Sequence, residues 1–233
     1  MIKAIAFDAD DTLWGNEHYF REAEAYFCQL LEEYMPQHDL NRELFRTEID
    51  NMELYGYGIK PFTLSMIETA LRVTDLKLPP TIIDDLISYG KEMLQRPVEL
   101  LDGVEETLAQ LTSKNKLVMA TKGDLLDQER KLRRSGLQKY FHHIEIMSDK
   151  QEADYKKLIT HLDILPGEFM MVGNSLRSDI IPVLNIGGYA VHVPYFVTWE
   201  HENVSQNVEH EHFGKIDRIS ELLKILPEIS SRI

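Results

Sequence analysis

The sequence predicts an α/β protein built on a doubly wound parallel sheet, with an α-helical domain inserted near its start. Two observations indicate this fold class. From residue 97 onward, short apolar segments alternate with amphipathic segments of helical period, which is typical of strand–helix units in a parallel sheet. Between residues 16 and 96, helical periodicity recurs with no strand pattern between the segments. We therefore expect a core domain of residues 1–15 and 97–233 and a helical domain of residues 16–96.

The first strand is predicted at Ile2–Phe7, which is apolar at all but one position, too short for a helix, and followed by acidic residues. Charges at the end of a buried strand are costly unless they are satisfied, and open α/β sheets bind ligands at this edge. If the extended geometry continues, Asp8 and Asp10 point to the same side and suggest a Mg²⁺ site. Alternatively, Asp10, Asp11 and Thr12 cap the helix that follows. At this point the two interpretations are equally supported.

The inserted segment is predicted to contain four helices, from the spacing of its apolar residues and from the breaks between them. The first begins near Asn16 and is stopped by Pro36, and the second covers Leu40–Tyr55. The third begins near Pro61, and the fourth follows Pro79 and its neighbouring proline. No strand pattern interrupts this group, so we expect it to form a domain of its own.

After the insertion, strands and helices alternate to the end of the sequence. The predicted elements are a helix at Asp102–Leu111, a strand at Lys116–Thr121, a helix around Glu129–Arg134, a strand at His143–Met147, a helix at Ala153–Leu162, a strand at Phe169–Val172, a helix from Arg177 to Gly187, a strand at Tyr189–Val193, a loop at Tyr195–Gly214 and a helix at Ile219–Leu226. This order predicts that the carboxyl ends of the strands meet at one edge of the sheet.

Residues suited to a phosphate group and a metal ion follow four of these strands. They are Asp8 and Asp10, then Thr121, then Lys150, then Asn174 and Asp179. Together they offer a nucleophile, charge neutralisation and a cation site, which is the combination that phosphoryl transfer needs.

In the content and order of these motifs the sequence resembles the haloacid dehalogenase superfamily of phosphotransferases. The motifs are Phe7–Thr12, Thr121, Lys150 and Gly173–Asp179, and the resemblance covers the whole chain. A helical insertion after the first motif matches the capped members of the family. The resemblance implies a Rossmann-like core with a helical cap and a phosphoric monoester hydrolase activity.

The resemblance also implies roles for single residues. Asp8 would attack phosphorus and form an aspartyl-phosphate, and Asp10 would protonate the leaving alcohol and then activate water. Thr121 would hydrogen-bond the phosphoryl oxygens, with Lys122 and Gly123 beside it as substrate-binding candidates.

Charge neutralisation and metal binding are implied in the same way. Lys150 would offset charge on Asp8 and on the substrate. Mg²⁺ would be held by Asp8, the backbone carbonyl of Asp10, and Asn174 and Asp179 of the fourth motif.

The sequence departs from the family pattern at two motifs. The fourth motif usually begins with Gly-Asp, whereas Asn174 brings a neutral oxygen here, so Asp179 gains importance. Gln151 follows Lys150 where many relatives have proline. Lys156 and Lys157 lie near Lys150, but mid-helix lysines more often face solvent, so Lys150 is favoured as the third motif.

Composition excludes several classes of partner. The net charge of −14, from 39 acidic against 25 basic residues, argues against nucleic acid and anionic membranes as partners. No segment approaches the ~20 apolar residues of a membrane-spanning helix. The single cysteine, Cys28, is predicted to pack in a helix and suits a reducing cytoplasm. We expect a cytoplasmic enzyme with a small phosphorylated metabolite as its partner; the sequence predicts no oligomeric state.

Other functions are compatible with the same core. A phosphomutase or a 2-haloacid dehalogenase belongs to the same class, and a non-catalytic phosphoacceptor or ligand-binding module belongs to another. Asp10 favours hydrolysis of a phosphate ester, because the dehalogenases lack an acid at this position and a pure acceptor does not need one.

Two further regions are candidates for secondary roles. The helical domain is predicted to act as a lid that sets substrate choice, with Tyr55, Tyr57 and Lys60 as candidate contacts. Trp199 and Glu200 lie in a loop that could border the site. Four histidines of the tail do not fit zinc spacing and are interpreted as surface polarity; they are His192, His201, His210 and His212.

Overall fold

The computed structural model describes residues 1–204 and 207–231. The chain forms two compact units. The first contains Met1–Glu17, Val98–Lys122 and the chain from Gln128 onward, and the second contains His18–Pro97 with Gly123–Asp127. These bounds lie close to the predicted ones, except that a short segment after the second strand is grouped with the helical unit.

A six-stranded parallel sheet forms the centre of the first unit, which confirms the predicted fold class. Its strands are β1 (Ala4–Phe7), β2 (Lys116–Lys122), β3 (His143–Met147), β4 (Phe169–Gly173), β5 (Tyr189–His192) and β6 (Phe213–Lys215). Their spatial order is β3-β2-β1-β4-β5-β6, so β1 lies between β2 and β4. The strand order reverses at β1, and such a switch point is where open α/β sheets bind ligands.

The helices that begin after the insertion are α5 (Val104–Leu111), α6 (Leu125–Ser135), α7 (Glu152–His161), α8 (Ile181–Asn185) and α9 (Leu222–Ser231). Alternate strand residues divide the core into two apolar clusters. Ile5 and Phe7 belong to the cluster that includes residues of α5 and α9. Ala4 and Ala6 belong to the cluster that includes residues of α7 and α8. Helices therefore cover both faces of the sheet.

Two predicted elements of the first unit differ from the structure. The loop predicted at Tyr195–Gly214 ends in β6, which pairs with β5 at the edge of the sheet. Three residues are too few to show an alternating pattern, so this strand is not visible in the sequence. The helix predicted from Arg177 begins as a π-turn at Leu176–Ile180 before α8; π-turns are frequent at functional sites.

The second unit is helical, with α1 (Glu17–Leu30), α2 (Gln37–Tyr55), α3 (Ile59–Val73) and α4 (Pro80–Met93). The first residue of α1 is grouped with the sheet unit and the rest of the helix with this one. Phe27, Met66 and Leu86 are fully buried in its core. Cys28 lies in the same cluster, and its Sγ is 3.0 Å from Asn41 Oδ1, as expected of a packing thiol. Among the described residues, no helix combines the length and apolarity needed to cross a membrane.

Candidate active site

The loop after β1 turns at residues 11–13, directly after Asp10, which forms a β-bridge with Trp14. The amide of Leu13 donates to the carbonyl of Ala9 at 2.8 Å, and the amide of Asp11 donates to the carbonyl of Trp14 at 2.7 Å. These hydrogen bonds join backbone groups of the loop to one another, between Ala9 and Trp14. The prediction that Asp8 and Asp10 point to the same side stays a prediction.

Lys150 is buried between two carboxylates. Its Nζ lies 2.5 Å from Asp8 Oδ1 and 2.7 Å from Asp179 Oδ1, and the Lys150 and Asp179 side chains are each 1% exposed. Asp8 follows β1, Lys150 follows β3, and Asp179 belongs to the π-turn after β4, so the carboxyl ends of three parallel strands bring these groups together. The ammonium group of Lys150 thus forms ion pairs with two carboxylates.

This arrangement changes the acid–base properties of the cluster. Burial raises the pKa of Asp8 to about 7; Lys150 opposes the rise, and the neighbouring charge of Asp179 adds to it. Burial alone would lower the pKa of Lys150, but attraction to Asp179 and Asp8 raises it above its ordinary value. Lys150 is therefore a permanent cation, while the charge of Asp8 is sensitive to any further cation.

Asp8 also faces neutral oxygen atoms. The hydroxyl of Thr12 lies 3.2 Å from Asp8 Oδ2 and 3.4 Å from Asn174 Oδ1, so both oxygens lie around one hydroxyl. Asp8 and Thr12 are both buried. Carboxylate and amide oxygens suit a hard divalent cation such as Mg²⁺. The residues at this point therefore fit the metal that the sequence predicts.

Asp179 has other contacts. Its Oδ1 accepts from Lys150, and its Oδ2 accepts from the backbone amide of Ser175 at 3.0 Å. A Cβ on Gly173 would lie 2.2 Å from Asp179 Oδ2, so only glycine allows this close approach. These contacts make Asp179 an anchor for Lys150, and its part in metal binding stays a prediction.

The side chain of Asp10 is held by different partners from those of Asp8. Its Oδ1 accepts from Trp14 Nε1 at 2.7 Å and from Lys131 Nζ at 2.8 Å, and its Oδ2 accepts from Gln128 Nε2 at 2.8 Å. Three donors, one of them charged, fix the carboxyl group in orientation. Sequence reasoning missed both Lys131 and Gln128. They lie one turn apart on α6, whose basic residues were the visible signal in the sequence.

The helix-capping interpretation is correct for Asp11. Its Oδ1 accepts from the amides of Asn16 and Glu17, at 2.8 and 3.0 Å, at the start of α1. Asp11 has a positive φ of 63°, which Asp tolerates better than most residues. Burial raises its pKa to about 7, and the hydrogen bonds from these amides only partly offset the rise.

The second motif lies at the end of β2. Thr121 is 1% exposed, and its hydroxyl donates to the carbonyl of Lys122 at 3.3 Å. Lys122 Nζ lies 2.6 Å from Glu202 Oε1 and 2.9 Å from Ser178 Oγ. Gly123 has a φ of 133° and begins the segment that is grouped with the helical unit. The substrate-binding roles of Thr121, Lys122 and Gly123 stay predictions.

Glu202 joins the second and fourth motifs. It contacts Lys122, accepts from Ser178 Oγ at 2.7 Å, and accepts from Ser175 Oγ. Burial would raise the pKa of Glu202, but the charge of Lys122 and these hydrogen bonds lower it to about 2. The residue belongs to a short 3₁₀ turn at Glu200–Glu202. No sequence motif marks Glu202, because its partners lie 24 to 80 positions away.

The surface interpretation of the tail histidines is wrong for His192. Its Nε2 lies 2.9 Å from the carbonyl of Asn174, and burial lowers its pKa. The neutral His192 ring therefore donates this hydrogen bond and helps to orient Asn174, a candidate metal ligand. His210 and His212 lie next to each other farther along the tail, where the amide of His212 donates to His210 Nδ1.

The competing lysines face solvent, as predicted. The side chain of Lys156 is 62% exposed and that of Lys157 is 79% exposed. Each forms an ion pair with a residue of its own helix, whereas Lys150 is buried against Asp8. The geometry therefore agrees with the choice of Lys150.

Comparison with known proteins establishes the class. A family model described as a haloacid dehalogenase-like hydrolase matches residues 2–187, and the chain belongs to this family. The crystal structure of a haloacid dehalogenase-like family hydrolase from Xanthomonas campestris is similar, with 35% identity and a TM-score of 0.90 over 99% of this chain and 93% of that one.

Two curated relatives carry more specific names. N-acylneuraminate-9-phosphatase of Mus musculus is 33% identical over 197 residues, which is 80% of this chain and 79% of that protein. Glyceraldehyde 3-phosphate phosphatase of Methanopyrus kandleri is 26% identical over 239 residues, covering 99% of both chains. The predicted superfamily and the predicted enzyme class, a phosphoric monoester hydrolase, are confirmed.

Proposed function

We propose that the protein is a Mg²⁺-dependent phosphatase that cleaves a small phosphorylated metabolite through an aspartyl-phosphate on Asp8. The observation that carries this proposal is the buried Asp8–Lys150–Asp179 cluster beside the oxygens of Thr12 and Asn174. A nucleophile, a fixed cation and a hard-oxygen site meet at one point, as phosphoryl transfer requires.

The first step forms a bond between a carboxylate oxygen of Asp8 and phosphorus, while the bond from phosphorus to the substrate's ester oxygen breaks. Asp10 gives a proton to the departing oxygen, so the product leaves as a neutral alcohol. Lys150 offsets the charge of Asp8 and of the phosphoryl oxygens during this transfer. Thr121 supports the phosphoryl oxygens through its hydroxyl.

In the second step Asp10, now a carboxylate, takes a proton from a water molecule that attacks the same phosphorus. The bond from phosphorus to Asp8 breaks, which releases inorganic phosphate and restores the free carboxylate. Lys131, Gln128 and Trp14 hold Asp10 for both transfers.

Asp8, Asn174 and the backbone carbonyl of Asp10 are proposed to hold Mg²⁺. When bound, Mg²⁺ supplies positive charge that lowers the pKa of Asp8 from about 7 and keeps the nucleophile ionised. Asn174 offers one negative charge fewer than an aspartate, so the site depends more strongly on the charge of Asp8.

The substrate class is proposed from the relatives' names. Both names describe phosphatases of small metabolites, N-acylneuraminate 9-phosphate and glyceraldehyde 3-phosphate. We expect a substrate of this size, with no nucleic acid and no membrane, in keeping with the net charge of −14.

The test is phosphate release from an aryl phosphate, from these two compounds, and from sugar phosphates, nucleotides and phosphoglycolate. We expect hydrolysis with Mg²⁺ and none in excess EDTA, and we expect no halide release from a 2-haloacid. Undiminished phosphate release in EDTA would refute the metal assignment. Halide release without phosphatase activity would refute the proposed reaction.

A further inference from the structure

A second group of polar side chains lies on the outer strand β3, which β2 separates from β1 and Asp8. We propose that His143, Glu145 and His161 form a binding site for one divalent transition-metal ion of the zinc type. One ligand atom from each of the three side chains lies within 4.8 Å of the other two. This site is separate from the proposed hydrolysis and does not depend on it.

Two elements bring the ligands together. His143 and Glu145 are two apart on β3, so their side chains share one face of the strand. His143 Nε2 and Glu145 Oε2 are 2.7 Å apart. His161 ends α7, and its ring centroid lies 5.7 Å from that of His143.

His143 and Glu145 occupy positions where the neighbouring strand carries apolar residues. In the register of β3 with β2, His143 is opposite Val118 and Glu145 is opposite Ala120. Val118 and Ala120 are fully buried in the cluster that α7 covers. The same face of β3 therefore carries a histidine and a glutamate where its neighbour carries apolar residues.

Edge protection is the competing explanation, since β3 is an outer strand and an inward-pointing charge discourages pairing with another sheet. A glutamate alone would serve that purpose. Edge protection does not account for a third ligand atom supplied by another element, whereas a metal site does.

The chemistry of the three ligands selects the ion. Two imidazoles and one carboxylate suit Zn²⁺, Co²⁺ or Ni²⁺ better than Mg²⁺, which prefers oxygen ligands. Three protein ligands with one position open to water is a known zinc arrangement. The side chains of His143 and Glu145 are each 33% exposed, so an ion can enter from solvent. His161 lies at the C-terminal end of α7, where the helix dipole also favours a cation.

The test is calorimetric titration of the whole protein with Zn²⁺ in the presence of saturating Mg²⁺, followed by visible absorption with Co²⁺. We expect one equivalent of Zn²⁺ per chain, a Co²⁺ spectrum typical of nitrogen ligation, and a higher Tm with Zn²⁺. His143→Ala and His161→Ala should each weaken binding at least ~10-fold, because even the loss of a group that only supports a metal ligand costs ~10–100-fold in affinity.

His142→Ala is the matched control, because His142 is an exposed histidine next to the cluster in the sequence. It should bind Zn²⁺ as the wild type does. The urea midpoint without metal shows whether His143→Ala folds. If it does not, the Zn²⁺ affinity of His161→Ala tests the site instead, because His161 is exposed at a helix end and its loss should not disturb the fold. Equal Zn²⁺ affinity in wild type and His161→Ala, or no Zn²⁺ binding by the wild type, would overturn the proposal.

Discussion

Single carboxylates in the loop after β1 have different tasks because they have different partners. Asp8 is paired with Lys150, Asp10 with Lys131 and Asp11 with backbone amides. The sequence predicted Asp8 and Lys150 through the order of the motifs. It could not predict the partners of Asp10, because they depend on where α6 lies relative to the loop.

Asp11 provides a pH-dependent test of this division. Its pKa is raised from 3.8 to about 7 in the folded protein, so it favours folding at low pH and this contribution is lost as the pH rises to about 7. The rise corresponds to about 4 kcal/mol at most. Asp11→Asn keeps an acceptor for the amides and removes the titration.

We therefore expect the free energy of unfolding of Asp11→Asn, minus that of the wild type, to increase between pH 4.5 and pH 7.5. Urea denaturation of the metal-free proteins at several pH values measures this difference. A difference that is constant across the range would contradict the assignment.

Lys131 tests how Asp10 is positioned. Lys131→Met removes one of three donors to Asp10, so we expect kcat to fall by about 10-fold with little change in KM. The fall is smaller than the ~10²–10⁴-fold contribution of a complete acid–base group, because Gln128 and Trp14 remain.

Lys131→Arg should recover most of the activity, since it restores a cation at Asp10. Lys157→Met, at an exposed lysine, is the control and should leave kcat unchanged. Equal loss of activity in Lys131→Met and Lys131→Arg would show that the charge at this position is not what supports Asp10.

Among the elements, the turn after β4 carries the strictest packing requirement. Gly173 ends β4, and a Cβ there would meet the carboxylate of Asp179, which anchors Lys150. Gly173→Ala should therefore displace Asp179, lower kcat at least 10²-fold and destabilise the fold by about 1–3 kcal/mol, as for other overpacked positions.

Gly167→Ala is the matched control, because a Cβ at Gly167 has no atom within 4 Å. It should leave kcat and the urea midpoint nearly unchanged. If Gly173→Ala is as active as Gly167→Ala, the close approach of Gly173 to Asp179 is not needed for activity.

Most elements were predictable because their apolar residues repeat at the helical or strand period. β1, β4 and the helices of the insertion are long enough, or apolar enough, to show this pattern. β6 is not, since Phe213–Lys215 is stabilised by pairing with β5 rather than by its own pattern. The π-turn at Leu176–Ile180 likewise depends on contacts made after folding, such as that of Asp179 with Lys150.

For the molecule as a whole, the generic motifs lie in the sheet unit, so substrate choice is predicted to come from the helical unit. In that unit Lys60 is paired with Asp124 at 2.8 Å, and Tyr55 donates to Glu68 at 2.7 Å. Lys60→Ala should change kcat/KM for two metabolite substrates by different factors and leave hydrolysis of an aryl phosphate nearly unchanged.

Lys77→Ala, at an exposed lysine of the same unit, is the control and should affect no substrate. The measurement is kcat/KM of the variant relative to the wild type, on an aryl phosphate and at least two sugar phosphates. If Lys60→Ala lowers kcat/KM by the same factor for every substrate, the helical unit does not select substrates through this residue.

Asp8 is proposed to carry the phosphoryl group, and one measurement tests this role most directly. Asp10→Asn is mixed with a substrate labelled in its phosphoryl group, quenched in acid within milliseconds, digested and sequenced by mass spectrometry. Because Asp10→Asn slows the attack of water, we expect the label to accumulate on Asp8 and to be absent from Asp8→Asn. Label on another residue, or turnover by Asp8→Asn at the wild-type rate, would contradict this account.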